Sequence, residues 1–158
     1  MRRLLSCLGL LWAASAAHAD VRLHPLFADH AVLQRDRDIK VFGWADSGEK
    51  VTVSLGSAMV STTTPASGKW QLSLPKRSAS TTPASLVVQG KNRVERTDIL
   101  IGDVWLCSGQ SNMEWGLGGC DDPEAIRSSA NPLIRHFGVE MLFARDPQET
   151  VKGSWAVA

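Results

Sequence analysis

Apolar and polar residues alternate with a period of two along much of the chain between residues 21 and 100. The alternation is clearest in three stretches, 39–45, 50–56 and 70–75, which are separated by turns rich in glycine, serine, aspartate and proline. Because side chains of a strand point to alternate faces, this pattern predicts half-buried strands, and no helical period interrupts it. We expect residues 20–100 to form an antiparallel β-sandwich.

The pattern changes after residue 100, where Val104–Cys107 form a short continuous apolar run. Such a run is typical of a strand that is covered on both faces, as in a parallel sheet. It is followed by Ser108–Asn112, a polar turn that contains a glycine. At the carboxyl edge of a parallel sheet, a turn of this kind can place a serine hydroxyl beside a backbone N–H, as nucleophilic catalysis requires. By pattern alone, an ordinary turn is the commoner interpretation.

A helix and a second strand are predicted beyond this turn. Asp122 can cap a helix that has Pro123 at its first position and runs from Glu124 to about Ala130. Residues 133–139 are then predicted as a strand, parallel to the first. We therefore expect residues 101–158 to be the first β-α-β portion of an α/β, flavodoxin-like domain, truncated because such a domain needs several parallel strands.

The first 19 residues have the features of a secretory signal peptide. Arg2 and Arg3 precede a short apolar segment, and Ala17-His18-Ala19 is a small-x-small cleavage signal. We expect the chain to be secreted and cleaved after Ala19, with the bacterial periplasm as the first choice of compartment. After cleavage we expect no attachment to a membrane.

The composition excludes some partners and leaves the chemistry open. Seventeen basic residues balance 16 acidic ones, a net charge of +1, which gives no electrostatic reason to expect nucleic acid. An oxidising compartment would allow Cys107 and Cys120 to pair, although a small buried hydrophobe is the preferred interpretation of Cys107. We expect no metal and no cofactor, since two cysteines without a histidine cluster do not make a metal site.

Trp105–Trp115, with the sequence WLCSGQSNMEW, resembles the nucleophile block of sialate O-acetylesterases, a branch of the SGNH hydrolases that removes acetyl groups from sugars. Other stretches resemble the same family over most of the chain after residue 19. They are LFADHAVLQRD at 26–36, VFGWADSGEKV at 41–51, GKW at 68–70, PLIRHFGV at 132–139 and GSW at 153–155. The resemblance implies a β-sandwich followed by the start of an SGNH hydrolase domain, acting on an O-acetylated sugar such as sialic acid.

The resemblance also implies roles for the residues of the turn. Ser111 would be the nucleophile and its N–H an oxyanion donor. Ser108 is the second candidate for the nucleophile in the motif, although a structural role is the preferred interpretation. Gly109, Gln110 and Asn112 would orient the loop or touch the substrate.

The base that should activate the serine is not evident in the sequence. The family supplies it from an Asp-x-x-His block, and a further oxyanion group from a Gly-Glu-x-Asn block, and this sequence contains neither. Structural roles are predicted for His24, His30 and His136, and a solvated or capping role for Asp103. We therefore expect little or no esterase activity from this chain alone.

Two alternatives remain open on the sequence. The chain could be a non-catalytic β-sandwich module that binds a sugar or another partner. It could also keep the esterase chemistry with a different substrate, such as acetylated xylan, because these residues do not select one acetylated sugar.

Overall fold

The computed structural model describes residues 20–158, so the predicted signal peptide lies outside the described residues. The described part is mostly β-sheet. Its strands are β1 (Arg22–Leu23), β2 (Val32–Gln34), β3 (Ile39–Trp44), β4 (Lys50–Leu55), β5 (Ala58–Thr63), β6 (Lys69–Leu74), β7 (Ser80–Gln89), β8 (Arg93–Gly102), β9 (Arg135–Val139) and β10 (Gly153–Val157). One α-helix, α1 (Pro123–Arg127), and two 3-10 turns, Ser111–Glu114 and Leu117–Gly119, complete the regular elements of these residues.

The first eight strands form two sheets. One sheet has the order β1-β3-β6 and is antiparallel. The other has the order β2-β8-β7-β4-β5, in which only the β2–β8 pair is parallel. The strands predicted from the alternation at 39–45, 50–56 and 70–75 are present as β3, β4 and β6.

Both sheets contribute to one apolar core. In β4, Val51, Val53 and Leu55 are completely buried, while the residues between them are partly exposed. Trp70 of β6 and Val41 of β3 pack into the same cluster from the other sheet. The period-two pattern is therefore the pattern of core and surface positions, and burial of these side chains is the main force that holds the sheets together.

The prediction of a buried strand at Val104–Cys107 is wrong. Residues 103–109 have no regular structure, and Leu106 is 95% exposed. The strand before them, β8, ends at Gly102, where its parallel partner β2 also ends. With no neighbouring strand to satisfy its backbone, the chain leaves the sheet at this point. Cys107 is correspondingly exposed, contrary to the buried position predicted, and both it and Cys120 are free thiols.

The predicted parallel β-α-β arrangement is also not what the structure contains. The helix is present but shorter than predicted, and Asp122 caps it by accepting hydrogen bonds from the N–H groups of Glu124 and Ala125. The predicted second strand exists as β9, but β10 pairs with it in the antiparallel direction. The hairpin thus provides the backbone partners that a parallel neighbour was expected to provide.

The β9–β10 hairpin is attached to the sheets by a few polar contacts and by the side chain of Trp155, which packs against the apolar core. Arg135 of β9 donates to the main-chain oxygen of Asp98 at 2.6 Å and to its carboxylate at 3.0 Å. The indole N–H of Trp155 donates to the carbonyl oxygen of Leu26 at 2.9 Å. The loop between β9 and β10 adds an ion pair between Glu149 and Lys69 of β6. No helix among residues 20–158 is long and apolar enough to cross a membrane.

Candidate active site

Ser111 is the first residue of a 3-10 turn that ends at Glu114. The turn is closed by the N–H of Met113, which donates to the carbonyl oxygen of Gln110 at 2.8 Å. Ser108 through Met113 are all exposed. Among the described groups, which do not include the Glu114 side chain, the Ser111 hydroxyl and the N–H groups of Ser111 and Asn112 have no hydrogen-bond partner. The turn therefore presents a free hydroxyl and two free donors together, as the first residues of any helical turn do.

Gly109 allows the turn to close on itself. A Cβ atom at this position would lie 2.5 Å from Cγ of Met113, which is closer than real side chains approach. Any other residue at position 109 would push Met113 or the backbone away. The close contact with Met113 thus accounts for a glycine at position 109 without any contact to a substrate.

Gln34, the last residue of β2, and the following Arg35 fix the start of the segment that carries Ser111. Gln34 accepts a hydrogen bond from the N–H of Val104 at 2.9 Å, and Nε of Arg35 donates to the Asp103 carboxylate at 2.9 Å. The hydrogen bond from Arg35 is the main cause that lowers the pKa of Asp103. Asp103 is therefore an ion-pair partner of Arg35, and its side chain is 52% exposed, in agreement with the solvated role that was one of the two predicted.

Gln34 and Arg35 were not predicted as site residues, although a signal for them exists in the sequence. Both belong to the segment 26–36 that resembles the family, and β2 pairs directly with the end of β8. The stretch 26–36 thus lies next to the start of the segment that leads to the stretch 105–115, and its residues Gln34 and Arg35 hold that start by hydrogen bonds.

The three histidines of residues 20–158 are engaged elsewhere or stand apart from Ser111. His24 is 5% exposed, stacks on Trp44 and makes a tilted contact with Phe42, and burial lowers its pKa, which favours the neutral ring. Nδ1 of His30 lies 2.6 Å from the Asp98 carboxylate. His136 is exposed on β9. No hydrogen bond in the described part of the chain joins a histidine to Ser111, so a Ser–His pair is not assembled there.

Asp98 is the most heavily bonded carboxylate near the hairpin. Arg135, with a side chain that is only 5% exposed, and His30 both bind it. The hydrogen bond from Arg135 is the largest cause that lowers the pKa of Asp98, and the bond from His30 is the second. This cluster, Asp98–Arg135–His30, ties β9 to β8 and holds the hairpin in place. In the described residues, no group of three or more histidine, cysteine, aspartate or glutamate side chains could hold a metal ion.

Known proteins to which this chain is similar include two acetylesterases, while no protein-family model matches it. Human sialate O-acetylesterase is 29% identical over 116 residues, or 66% of this chain. The crystal structure of XAC1771, a carbohydrate acetylesterase from Xanthomonas citri, matches 87% of this chain with a TM-score of 0.83 and 35% identity. The resemblance to the acetylesterase family is confirmed. The mostly β architecture described above matches that of the Xanthomonas acetylesterase.

The matched region is a minor part of both acetylesterases. This chain spans 22% of the human protein and 32% of the Xanthomonas chain. Most of each relative therefore has no counterpart among the residues described above, and the complete enzymes' activity and substrates enter only as proposals.

Proposed function

We propose that this chain is part of a carbohydrate O-acetylesterase in which Ser111 is the nucleophile. The relatives support the reaction class, because one is a sialate O-acetylesterase and the other a carbohydrate acetylesterase. The observation that carries the assignment of Ser111 is the free hydroxyl on a tight turn at the position that matches the family's nucleophile block.

The reaction would be acyl transfer in two steps. Ser111 Oγ attacks the acetyl carbonyl while a base takes the hydroxyl proton, and the sugar oxygen leaves with a proton. Water then attacks acetyl-Ser111, releasing acetate and restoring the serine. The free N–H groups of Ser111 and Asn112 are candidates to stabilise the oxyanion, and one such donor typically contributes about 3–4 kcal/mol.

We further propose the finer architecture that accompanies this function. With the predicted boundary at residue 100 moved to residue 102, where β8 ends, residues 20–102 would be a β-sandwich and residues 103–158 the first part of an SGNH hydrolase domain. The second proposal is supported by the many large apolar side chains that are exposed there, which a complete domain would cover. They include Trp105 at 83%, Leu106 at 95% and Phe143 at 98% exposure. Secretion after removal of residues 1–19 stays a prediction, which amino-terminal sequencing of the exported protein would test.

A chimera tests the role of Ser111. Residues 20–158 would replace the matching part of the Xanthomonas acetylesterase, which then supplies the remainder of its own domain. We expect the chimera to hydrolyse 4-nitrophenyl acetate and acetylated sugars. Ser111→Ala should lower kcat by about a thousandfold or more, because loss of a nucleophile removes the covalent route.

Ser108→Ala is the matched control, since it removes a hydroxyl from the same exposed turn. This variant should keep kcat within about tenfold of the parent chimera. Labelling by a fluorophosphonate probe, followed by peptide mapping, identifies the reactive serine directly. Loss of activity and labelling in Ser108→Ala, with both retained in Ser111→Ala, would contradict the proposal.

A further inference from the structure

A groove of about 420 Å³ runs over β3 and β6, away from the turn that carries Ser111. Phe42 and Trp44 of β3 form one wall, and Lys69 and Gln71 of β6 face them across the strand pair. Glu149, from the loop between β9 and β10, completes the rim. We call this feature the Trp44 groove. No residue of the segment 103–120 lines it.

The aromatic side chains of the Trp44 groove are held in place from the opposite side. The His24 ring lies 5.8 Å from the Trp44 ring, and the guanidinium of Arg22, in β1, lies 5.7 Å from the same ring. Phe42 makes an edge contact with Phe27 at 5.1 Å. None of Arg22, His24 and Phe27 lines the groove itself. Side chains that are already ordered lose little entropy when a ligand binds.

The polar groups of the Trp44 groove suit a ligand with hydroxyl groups and no charge. Lys69 and Glu149 form an ion pair, so the two charges at the rim cancel. The amide of Gln71 makes no hydrogen bond in the described part of the chain, and it offers both a donor and an acceptor to a ligand. An amide beside aromatic rings, with both signs of charge balanced, favours neutral polar ligands over anions or cations.

We propose that the Trp44 groove binds an uncharged sugar ring of a glycan. The C–H bonds on one side of a pyranose carry partial positive charge and pack against electron-rich aromatic rings. Its hydroxyl groups then reach Gln71 and the Lys69–Glu149 pair at the rim. The groove's volume lies within the range of roughly 300–1,000 Å³ that is usual for small-ligand pockets. This proposal does not rest on the proposed esterase activity, because no group of the groove takes part in the acyl-transfer chemistry.

Binding of the full chain to an array of neutral and anionic glycans tests the proposal. We expect one or more neutral glycans to bind, with dissociation constants measured afterwards by calorimetry. Trp44→Ala should weaken binding at least tenfold, and Gln71→Ala severalfold. Met59→Ala, which removes an apolar side chain that is 69% exposed on β5, should leave binding unchanged. Ser111→Ala should also bind like the parent chain, which separates this site from the proposed esterase site.

Three results would overturn the proposal. They are binding to anionic glycans only or to none, equal binding by Trp44→Ala and the parent chain, and loss of binding in Ser111→Ala. Because Trp44 contacts His24 and Arg22, its replacement could unfold β3, which a thermal melt followed by circular dichroism would reveal. In that case Gln71→Ala and Lys69→Met decide the question, since both side chains are exposed. Unchanged binding in both would then refute the assignment.

Discussion

The same types of apolar residue have opposite environments in the two regions of this molecule. In residues 20–102, Val53, Leu55 and Leu86 are completely buried between two sheets. In residues 103–158, Leu106 and Phe143 are almost completely exposed. The difference shows that the first region carries its own core, whereas the second depends on contacts from outside itself for its position. The proposed chemistry lies in the region that contributes least to the stability of the fold.

The attachment of the second region is correspondingly sparse: Trp155 packs against the core, and a few polar contacts add to it. The Asp98–Arg135–His30 cluster holds the β9–β10 hairpin, and Gln34 and Arg35 hold the start of the segment that leads to Ser111. A few hydrogen bonds of about 1 kcal/mol each can orient a segment, but they cannot replace a core. We therefore expect local opening of the second region before global unfolding.

The largest contrast should come from one substitution made in both regions. Leu86→Ala removes a completely buried side chain, so the free energy of unfolding should fall by about 2–5 kcal/mol. Leu106→Ala removes a side chain that is 95% exposed, so the free energy of unfolding should change by less than about 0.5 kcal/mol. Urea denaturation followed by circular dichroism measures both. Equal losses in the two variants would show that Leu106 is packed and would break the comparison.

Arg135→Ala should have the next largest effect, because it leaves the Asp98 carboxylate without its main partner. We expect a loss of about 1–3 kcal/mol in the stability of the hairpin. Faster hydrogen exchange of the β9 amides would report this loss. The control is Arg127→Ala, which removes an arginine that is 68% exposed and paired with Glu124. The prediction is wrong if the two arginine variants exchange alike at β9.

Acid should loosen the hairpin through the same carboxylate. The pKa of Asp98 is lower in the folded chain than its ordinary value of 3.8, so the charged form stabilises the fold above that value. This stability is lost as the pH falls below about 3.8 and through the folded pKa, when the carboxylate takes up a proton. Hydrogen exchange at β9 should accelerate over that range in the parent chain. Asp98→Asn should remove the pH dependence of hydrogen exchange at β9. If the exchange rate of this variant still depended on pH, a group other than Asp98 would be responsible.

The double substitution Leu106→Ser and Phe143→Ser should have the smallest effect on stability. It should still reduce the apolar surface that the chain exposes. Both side chains are exposed, so the free energy of unfolding should change by less than about 0.5 kcal/mol per substitution. The fluorescence of a dye that binds apolar surface should fall, and the chain should aggregate less. Unchanged dye fluorescence would mean that other surfaces, not these residues, bind the dye.

Local patterns predicted the strands of the first region well because its sheets bury one face of most strands. Alternation at 50–56 and 70–75 therefore translates directly into β4 and β6. The same reasoning failed at Val104–Cys107. A continuous apolar run says that a segment can be buried but does not supply the neighbouring strands that would bury it. For β9, local sequence gave the strand but not its partner, since the antiparallel β10 is set by contacts distant in sequence.

The candidate site was predictable only in part. The turn around Ser111 follows from Gly109 and its polar neighbours, and the resemblance to the family selected Ser111 among them. The support from Gln34 and Arg35 is a contact between residues about 70 positions apart, which no local pattern contains. The role of Ser111 as a nucleophile stays a proposal, because no hydrogen bond among the described residues links it to a base.

The most direct test of this account is an esterase assay of the full chain alone on 4-nitrophenyl acetate, beside its Ser111→Ala variant. Among residues 20–158, no histidine is hydrogen-bonded to Ser111 to activate it. We therefore expect both proteins to hydrolyse the ester at the same slow rate, near that of the uncatalysed reaction. Turnover at ordinary enzyme rates, about 1–1,000 per second, that is abolished by Ser111→Ala would contradict it, because the base would then lie within this chain.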